Sequence, residues 1–522
     1  MPPLHPWPER DADHLLVGSA QMAALEERLF ESGLPVEALM EKAALAVSRR
    51  LLETPPQAAL VLVGPGHNGG DGLVVARELH LAGVAVRIWC PFERLRPLTE
   101  AHWRHARWLG IPALIAPPDP ADPCLWIDAL FGIGQGRGLG EAIEALLAAR
   151  DRQMPGRLMA IDVPSGLCAD RGAVLGEVAA KAARTFCIGL IKRGLVQDGA
   201  LRWVGELERI DLGLPASLLR TLPVSAPLGL SPRDRASAPW PSPDPAAPKY
   251  GRGRLLVVAG SCRYRGAAHL ALAGAAASGC GSLRATLPRE LEASLWSVHP
   301  EVVVDSFLGA TASNGLALAD LQEGWLDRLD AVLLGPGIGG PGPGGRAAQP
   351  LAHEPAEQHR WRELQGFSGL LLLDADGLNR LAAGAAGMAA HAWLRGRSGP
   401  TWLTPHSGEF ARLFPACAGT PPLEAASAAA AISGCALLLK GARSVIASPD
   451  GRSWQLLRAT PEAARAGLGD VLGGYAAGRG AQAIAAGATG TLLADQLAAL
   501  LAAAALDQAT AALTAARNLG SG

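Results

Sequence analysis

Asp470 stands in the stretch Gly467-Leu468-Gly469-Asp470-Val471-Leu472, where glycines precede a carboxylate and a small, apolar run to Gly478 reads as helix. The N–H groups at such a helix start favour an anion, and Asp470 lies where a base would act beside that anion. A plain glycine turn capped by Asp satisfies the same residues. Further chemistry-bearing groups lie upstream. Asp374 and Asp376 close the apolar strand 370–373, His406 follows Thr404-Pro405 and precedes Glu409, and Lys440 follows Leu437-Leu438-Leu439. Charges leaving a sheet at strand ends are where nucleotide phosphates lie in α/β proteins. No G-x-x-x-x-G-K-[ST] occurs in this half, so a P-loop is excluded. The glycine turns at 264–267, 334–339 and 467–470 are the alternatives.

The N-terminal half has its own constellation. Gly64, Gly66 and Gly69 match G-x-G-x-x-G after the strand 58–63, but the next strand ends Arg87-Ile88-Trp89-Cys90. No acidic residue is there to take a ribose hydroxyl, so ordinary nicotinamide redox chemistry is not supported. Asn68 and Asp71 lie in that glycine loop, Asp128 opens a second one (Gly132, Gly134, Gly136, Gly138), and Asp162 and Ser165 form a third. Hard oxygen donors at strand ends suit a monovalent or alkaline-earth cation, and glycine N–H groups suit phosphate; three Asx turns are the simpler account.

These residues need strands and helices to place them. Apolar runs at 58–63, 84–89, 112–116, 125–128, 158–163 and 185–189 alternate with helical stretches, one of them expected over 73–82. Helices are also expected from a Ser19 cap and from about Pro35. The pattern predicts a doubly wound, Rossmann-like α/β sheet over residues 1–213. Nine prolines between 215 and 248 predict a stiff linker over 214–248, without helix or central strand. A second α/β series opens at 254–259 and continues at 282–286, 330–334, 369–374 and 436–440, within a domain spanning 249–522. Residues 339–358 read as a mobile Gly/Pro/Ala-rich insertion.

The chain has 522 residues, 47 basic against 48 acidic side chains and a net charge of −1. It exceeds one ordinary core, and that balance asks for neither nucleic acid nor an anionic membrane surface. Eight cysteines (90, 124, 168, 187, 262, 280, 417, 435) show no C-x-x-C and no zinc spacing, which points to a reducing compartment. Uncharged runs such as 425–439 and 480–494 fall short of a membrane span of about 20 residues. A cytoplasmic protein with no membrane partner is expected.

The ordered landmarks Met40-Glu41-Lys42-Ala43-Ala44, Asn68-Gly69-Gly70-Asp71-Gly72, Asp128-Ala129-Leu130-Phe131-Gly132 and Asp162-Val163-Pro164-Ser165-Gly166 resemble the NAD(P)H-hydrate epimerase domain over roughly 15–213. That resemblance implies a potassium ion held by Asn68, Asp128 and Ser165. It implies substrate contacts from His67, Asn68, Gly69, Gly70 and Asp71, and from Gly132, Ile133, Gly134, Gln135, Gly136, Arg137 and Gly138. Asp162 is then catalytic beside the reacting ring, and Lys192 matches the family's lysine, the two exchanging roles as acid and base at C6. His67 stands where the family commonly has Asn.

The set Lys249-Tyr250-Gly251, Gly335-Pro336-Gly337, Asp374-Ala375-Asp376-Gly377-Leu378-Asn379, Thr404-Pro405-His406, Gly408-Glu409-Phe410, Lys440-Gly441 and Gly469-Asp470-Val471-Leu472 is similar to the ADP/ATP-dependent NAD(P)H-hydrate dehydratases of the ribokinase-like superfamily. It implies hydrate contacts from Ala267, Gly337, His406 and Asp470, with Asp470 as base. Lys440, Gly441, Ala442, Arg443, Ser444 and Gly469 would hold ADP or ATP, ADP being favoured, with magnesium. Leu468 occupies the family's usual Thr position and Ser407 its usual Pro. The implied substrates are hydrated NADH and NADPH, and the expected assembly is a homo-oligomer. Two other readings fit: a ribokinase-like vitamin or sugar kinase with an unrelated partner domain, and a non-catalytic nucleotide-binding N-terminal half joined to a degenerate C-terminal one.

Overall fold

Continuous apolar runs become the buried central strands of two parallel sheets, because a strand covered on both faces needs no polar side. The computed structural model describes residues 7–241, 244–340, 355–487 and 491–520. Its contacts divide into two units. Glu9–Gly229 forms one; Trp7 and Pro8 group with the residues from Leu230 onward.

In the N-terminal unit seven strands lie in the order Ala113–Leu114, Ala85–Trp89, Ala58–Val63, Leu125–Ala129, Leu158–Ile161, Arg184–Ile188, Glu206–Ile210. Every pairing is parallel. Strand order reverses between Ala58–Val63 and Leu125–Ala129, and in open α/β sheets the crevice at such a switch point is where ligands bind. A separate parallel pair joins Leu16–Val17 to Ile191–Lys192.

Helix His67–Leu81 starts earlier than expected, so His67 to Asp71 form its opening turns and not a loop. Packing explains the glycines. A Cβ on Gly64 would lie 1.6 Å from the Leu130 carbonyl oxygen, and one on Gly69 would lie 2.0 Å from the Gly64 oxygen. Ser19 is the first helical residue of Ser19–Glu31; the cap is Gly18, whose N–H donates to Gln21 Oε1 at 2.9 Å.

The C-terminal sheet has ten strands: Leu228–Leu230, Ser453–Leu456, Val445–Ala447, Ala436–Leu439, Thr401–Leu403, Leu370–Leu373, Ala331–Leu334, Arg254–Val258, Ser282–Pro288 and Val303–Leu308. It is parallel from Ala436–Leu439 to Val303–Leu308, and antiparallel where Val445–Ala447 meets its two neighbours. Helix Arg265–Ala277 crosses helix Leu468–Ala485 at close range. There a Cβ on Gly474 would lie 1.9 Å from the Ala271 oxygen, and one on Gly274 2.1 Å from the Val471 oxygen.

The anticipated linker 214–248 is structured in part. Pro215 caps helix Ala216–Leu219, a position where a missing N–H costs nothing, and Leu228–Leu230 is an edge strand. Trp7 is bound into the C-terminal unit: its indole N–H donates to the Asp234 oxygen, and Trp454 donates to the Trp7 oxygen. Most of the 339–358 insertion lies outside the described residues. Helix Thr491–Gly520 contains a stretch, Leu497–Ala515, long and apolar enough by composition to cross a membrane, and 61% of it is buried within the fold. Its Asp507 accepts from Tyr475 Oη and pairs with Arg235.

Candidate functional sites

Asp128 ends a central strand and is fully buried. Its Oδ1 accepts from Ser165 Oγ at 2.7 Å and from Leu130 N–H, and its Oδ2 accepts from Ser165 N–H at 2.8 Å. Burial pushes its carboxyl up to about 6, against those hydrogen bonds. Asn68, on the other side of the switch point, is 9% exposed, and neither side-chain Oδ1 nor Nδ2 has a hydrogen-bond partner. Buried amides are normally satisfied, and these two atoms are free to take a ligand. The second glycine loop is tied to the Ser165 turn by Gln135, whose Oε1 accepts from Gly166 N–H at 2.8 Å. Gly134, Gly136 and Arg137 are exposed, as is His67, whose imidazole is lowered by burial and by Arg96.

Asp162 has φ = 66°, the left-handed region that non-glycine residues rarely adopt and that marks functional turns. Its Oδ2 accepts from Ile133 N–H at 3.1 Å and its Oδ1 from Lys192 Nζ at 2.5 Å. Lys192 is no surface lysine: it is 1% exposed and also donates to the Ile188 carbonyl. Burial alone would lower its pKa; the charges of Asp162, Cys187 and Glu26 outweigh that and hold it above the usual lysine range. Lys192 therefore braces Asp162 from inside the protein, which differs from the expectation of two groups facing one ring carbon. Asp71 is held well above the usual carboxylate range by burial, then by Asp162 and Glu26.

The C-terminal unit also has a Lys–Asp pair, its carboxylate buried and its lysine partly so. Asp374, 1% exposed, accepts from Lys440 Nζ at 2.7 Å. Lys440 is raised, burial being outweighed by the charges of Asp374 and Glu409, the hydrogen bond to Asp374, and Asp470. A Cβ on Gly469 would lie 3.4 Å from Lys440 Nζ, so the start of helix Leu468–Ala485 adjoins this ammonium. Half-buried Asp470, in that first turn, is pushed up to about 6 by burial and by Asp374, with Lys440 opposing and Asp376 and Glu409 adding.

His406 caps helix Ser407–Leu413, its Nδ1 accepting from Gly408 N–H at 3.0 Å, while Glu409 Oε2 accepts from His406 N–H at 2.9 Å. Burial, Lys440 and Arg412 lower the imidazole, with Asp374 opposing. Gly441 and Ala442 are exposed in the turn closed by Ser444, beside buried Arg443. Ala267 and Gly337 meet: a Cβ on Gly337 (φ = 64°) would lie 2.6 Å from that of Ala267. Asp376 Oδ2 accepts from Gly339 N–H.

Asp470, Lys440, Gly469, Asp374 and His406 thus form one electrostatic cluster, and Asp162 and Lys192 another. Glu26 and Glu409 belong to these clusters and were not among the residues expected to act. Glu409 was visible in its motif; Glu26 carries no local signal. Among the described residues no group of three or more His, Cys, Asp or Glu is arranged to hold a metal.

Two α/β units in one chain, each with a carboxylate–lysine pair at its strand ends, define a two-site enzyme. The family described as YjeF-related protein N-terminus matches residues 36–194, and that described as NAD(P)H-hydrate dehydratase matches 255–521. The bifunctional NAD(P)H-hydrate repair enzyme Nnr of Gloeobacter violaceus is 43% identical over 88% of this chain and 87% of its own length. That of Synechocystis sp. is 42% identical over 89% and 85%. Among solved structures, the Bacillus subtilis ADP/ATP-dependent NAD(P)H-hydrate dehydratase is similar over 54% of this chain and 98% of its own, at 24% identity and a TM-score of 0.39. The chain belongs to the bifunctional NAD(P)H-hydrate repair enzymes.

Proposed function

We propose that the N-terminal unit interconverts the R and S hydrates of NADH and NADPH, and that the C-terminal unit dehydrates the S hydrate at the expense of ADP or ATP, ADP first. The observation that carries this reading is the half-buried Asp470, held near neutrality beside the Lys440–Asp374 pair at a helix N-terminus. A ring hydroxyl is a poor leaving group. Asp470 takes its proton as the hydroxyl oxygen bonds to the terminal phosphorus, whose bond to the nucleotide breaks. Phosphate then leaves with the ring oxygen, and loss of a ring proton restores the double bond. Lys440 and the Gly469 region offset the phosphate charge, with 441–444 on the nucleotide and Ala267, Gly337 and His406 on the hydrate. Asp374 is committed to Lys440, so magnesium is best read as arriving on the nucleotide phosphates.

In the epimerase unit Asp162 is the acid–base group and Lys192 its counter-charge. The helix turns 67–71 and the loop 132–138 hold the dinucleotide. Asn68, Asp128 and Ser165 would hold potassium, a reading supported by the unsatisfied amide of buried Asn68; the ion would supply positive charge to substrate oxygens. All eight cysteines are unpaired, which supports a reducing, cytoplasmic setting. Exposed apolar side chains such as Trp108 and Ile115 support a homo-oligomer, testable by sedimentation.

The deciding experiment supplies each epimer with ADP or ATP and follows NADH absorbance. Asp470→Asn should abolish NADH recovery and leave epimer exchange intact. Loss of both activities together would refute separable sites, and a stable phosphorylated product would favour a kinase.

A further inference from the structure

Three carboxyl groups and one ammonium converge in the N-terminal unit: Glu26, Asp71, Asp162 and Lys192. Glu26 arrives on helix Ser19–Glu31, which two contacts hold against the Lys192 segment. The strand just before it pairs with Ile191–Lys192, placing Val17 opposite Lys192. Met22 packs on Gly189, whose Cβ would lie 2.6 Å from Met22 Cε. Glu26 follows Met22 by one turn and shares its face. Lys192 and Asp162 both act on the charge of Glu26, and Glu26 acts in turn on Lys192 and Asp71. The fully buried Cys187, whose thiol burial pushes up, faces Lys192 and Asp162.

One ammonium faces three carboxyl groups, and like charges held close disfavour one another's ionised form. Asp71 is held well above the usual range, and Glu26 is pushed up to about 7 by burial, with Lys192 opposing and Asp162 adding. Of the two, Glu26 is the one that changes charge in the neutral range.

We propose that Glu26 is a positioning residue of the epimerase site, its carboxylate competing with Asp162 for Lys192 and so leaving Asp162 able to accept a proton from substrate. The proposal rests on the assignment of Asp162 made above. An ammonium weakens the proton affinity of the carboxylate it touches, and a second carboxylate facing that ammonium restores it. Epimerisation therefore requires ionised Glu26. Its ionised fraction rises about tenfold between pH 6 and 8 for a midpoint near 7, and the rate follows.

The test uses the full chain without nucleotide, so that dehydration does not consume the hydrate, and measures R/S exchange by chromatography, corrected for the spontaneous rate. Wild type should show the rise of about tenfold between pH 6 and 8. Glu26→Gln should be slower and flat across that range, and Glu26→Asp should keep a limb with a displaced midpoint. A wild-type profile in Glu26→Gln overturns the proposal. Should Glu26→Gln lose hydrogen-exchange protection across the unit, Glu26→Asp decides, and an unmoved midpoint there overturns it. Asp162→Asn separates the two claims. If it is inactive while Glu26→Gln behaves as wild type, only the role of Glu26 fails; if it exchanges epimers at the wild-type rate, the site assignment fails with it.

Discussion

Replacing Lys192 by Met tests the arrangement at the base of the epimerase site. Lys192 is 1% exposed and Asp162 8%, and their charged atoms are 2.5 Å apart. Removing one partner of a buried pair leaves the other uncompensated, at a cost of about 3–5 kcal/mol, a large share of the roughly 5–15 kcal/mol that holds a domain together. Hydrogen exchange read by peptide mass spectrometry follows this unit inside the whole chain. Protection of the 158–161 and 184–188 strands should fall roughly a hundred- to several-thousand-fold. The double variant Lys192→Met/Asp162→Asn removes both charges, and an Asn oxygen can still accept from Ile133 N–H, so most of the protection should return. Lys192 is raised above the lysine range, so its contribution is complete at neutral pH and is lost only as pH climbs past that range. A single variant that loses less than about 1 kcal/mol, or a double variant as unstable as the single, would refute a buried and coupled pair.

The other predictions concern the remaining parts of the two sites. Asp470 is raised to about 6, so NADH recovery should climb through pH 6 to a plateau. By linkage its ionised form costs stability, so Asp470→Asn should melt higher than wild type above pH 6, the difference fading below about pH 4; calorimetry across that range checks the sign. Potassium should stabilise the wild type relative to tetramethylammonium by about 2.7 kcal/mol at a hundredfold excess over Kd, read as a higher melting temperature, and should do nothing for Asn68→Ala. Gly474→Ala would place a methyl 1.9 Å from the Ala271 oxygen. The helices must separate, at about 1–3 kcal/mol, and dehydration should slow more than epimerisation.

What was legible in the sequence was local. Apolar runs ending in glycine and a carboxylate announced the strand ends bearing Asp128, Asp374 and Lys440, and the helix start bearing Asp470, because each depends on neighbours within a few residues. The glycine spacing suggests phosphate binding; that Gly64 and Gly69 also meet neighbouring backbone at close range needs the partner segments to be seen. The prolines after 214 argue against helix, although one at a helix start excludes nothing. Only the tertiary structure decided that Lys192 is buried behind Asp162, that Glu26 joins them, and that Trp7 belongs with the C-terminal unit. Charge pairing in a buried site is set by which distant segments are brought together, and one-dimensional spacing carries no record of that distance.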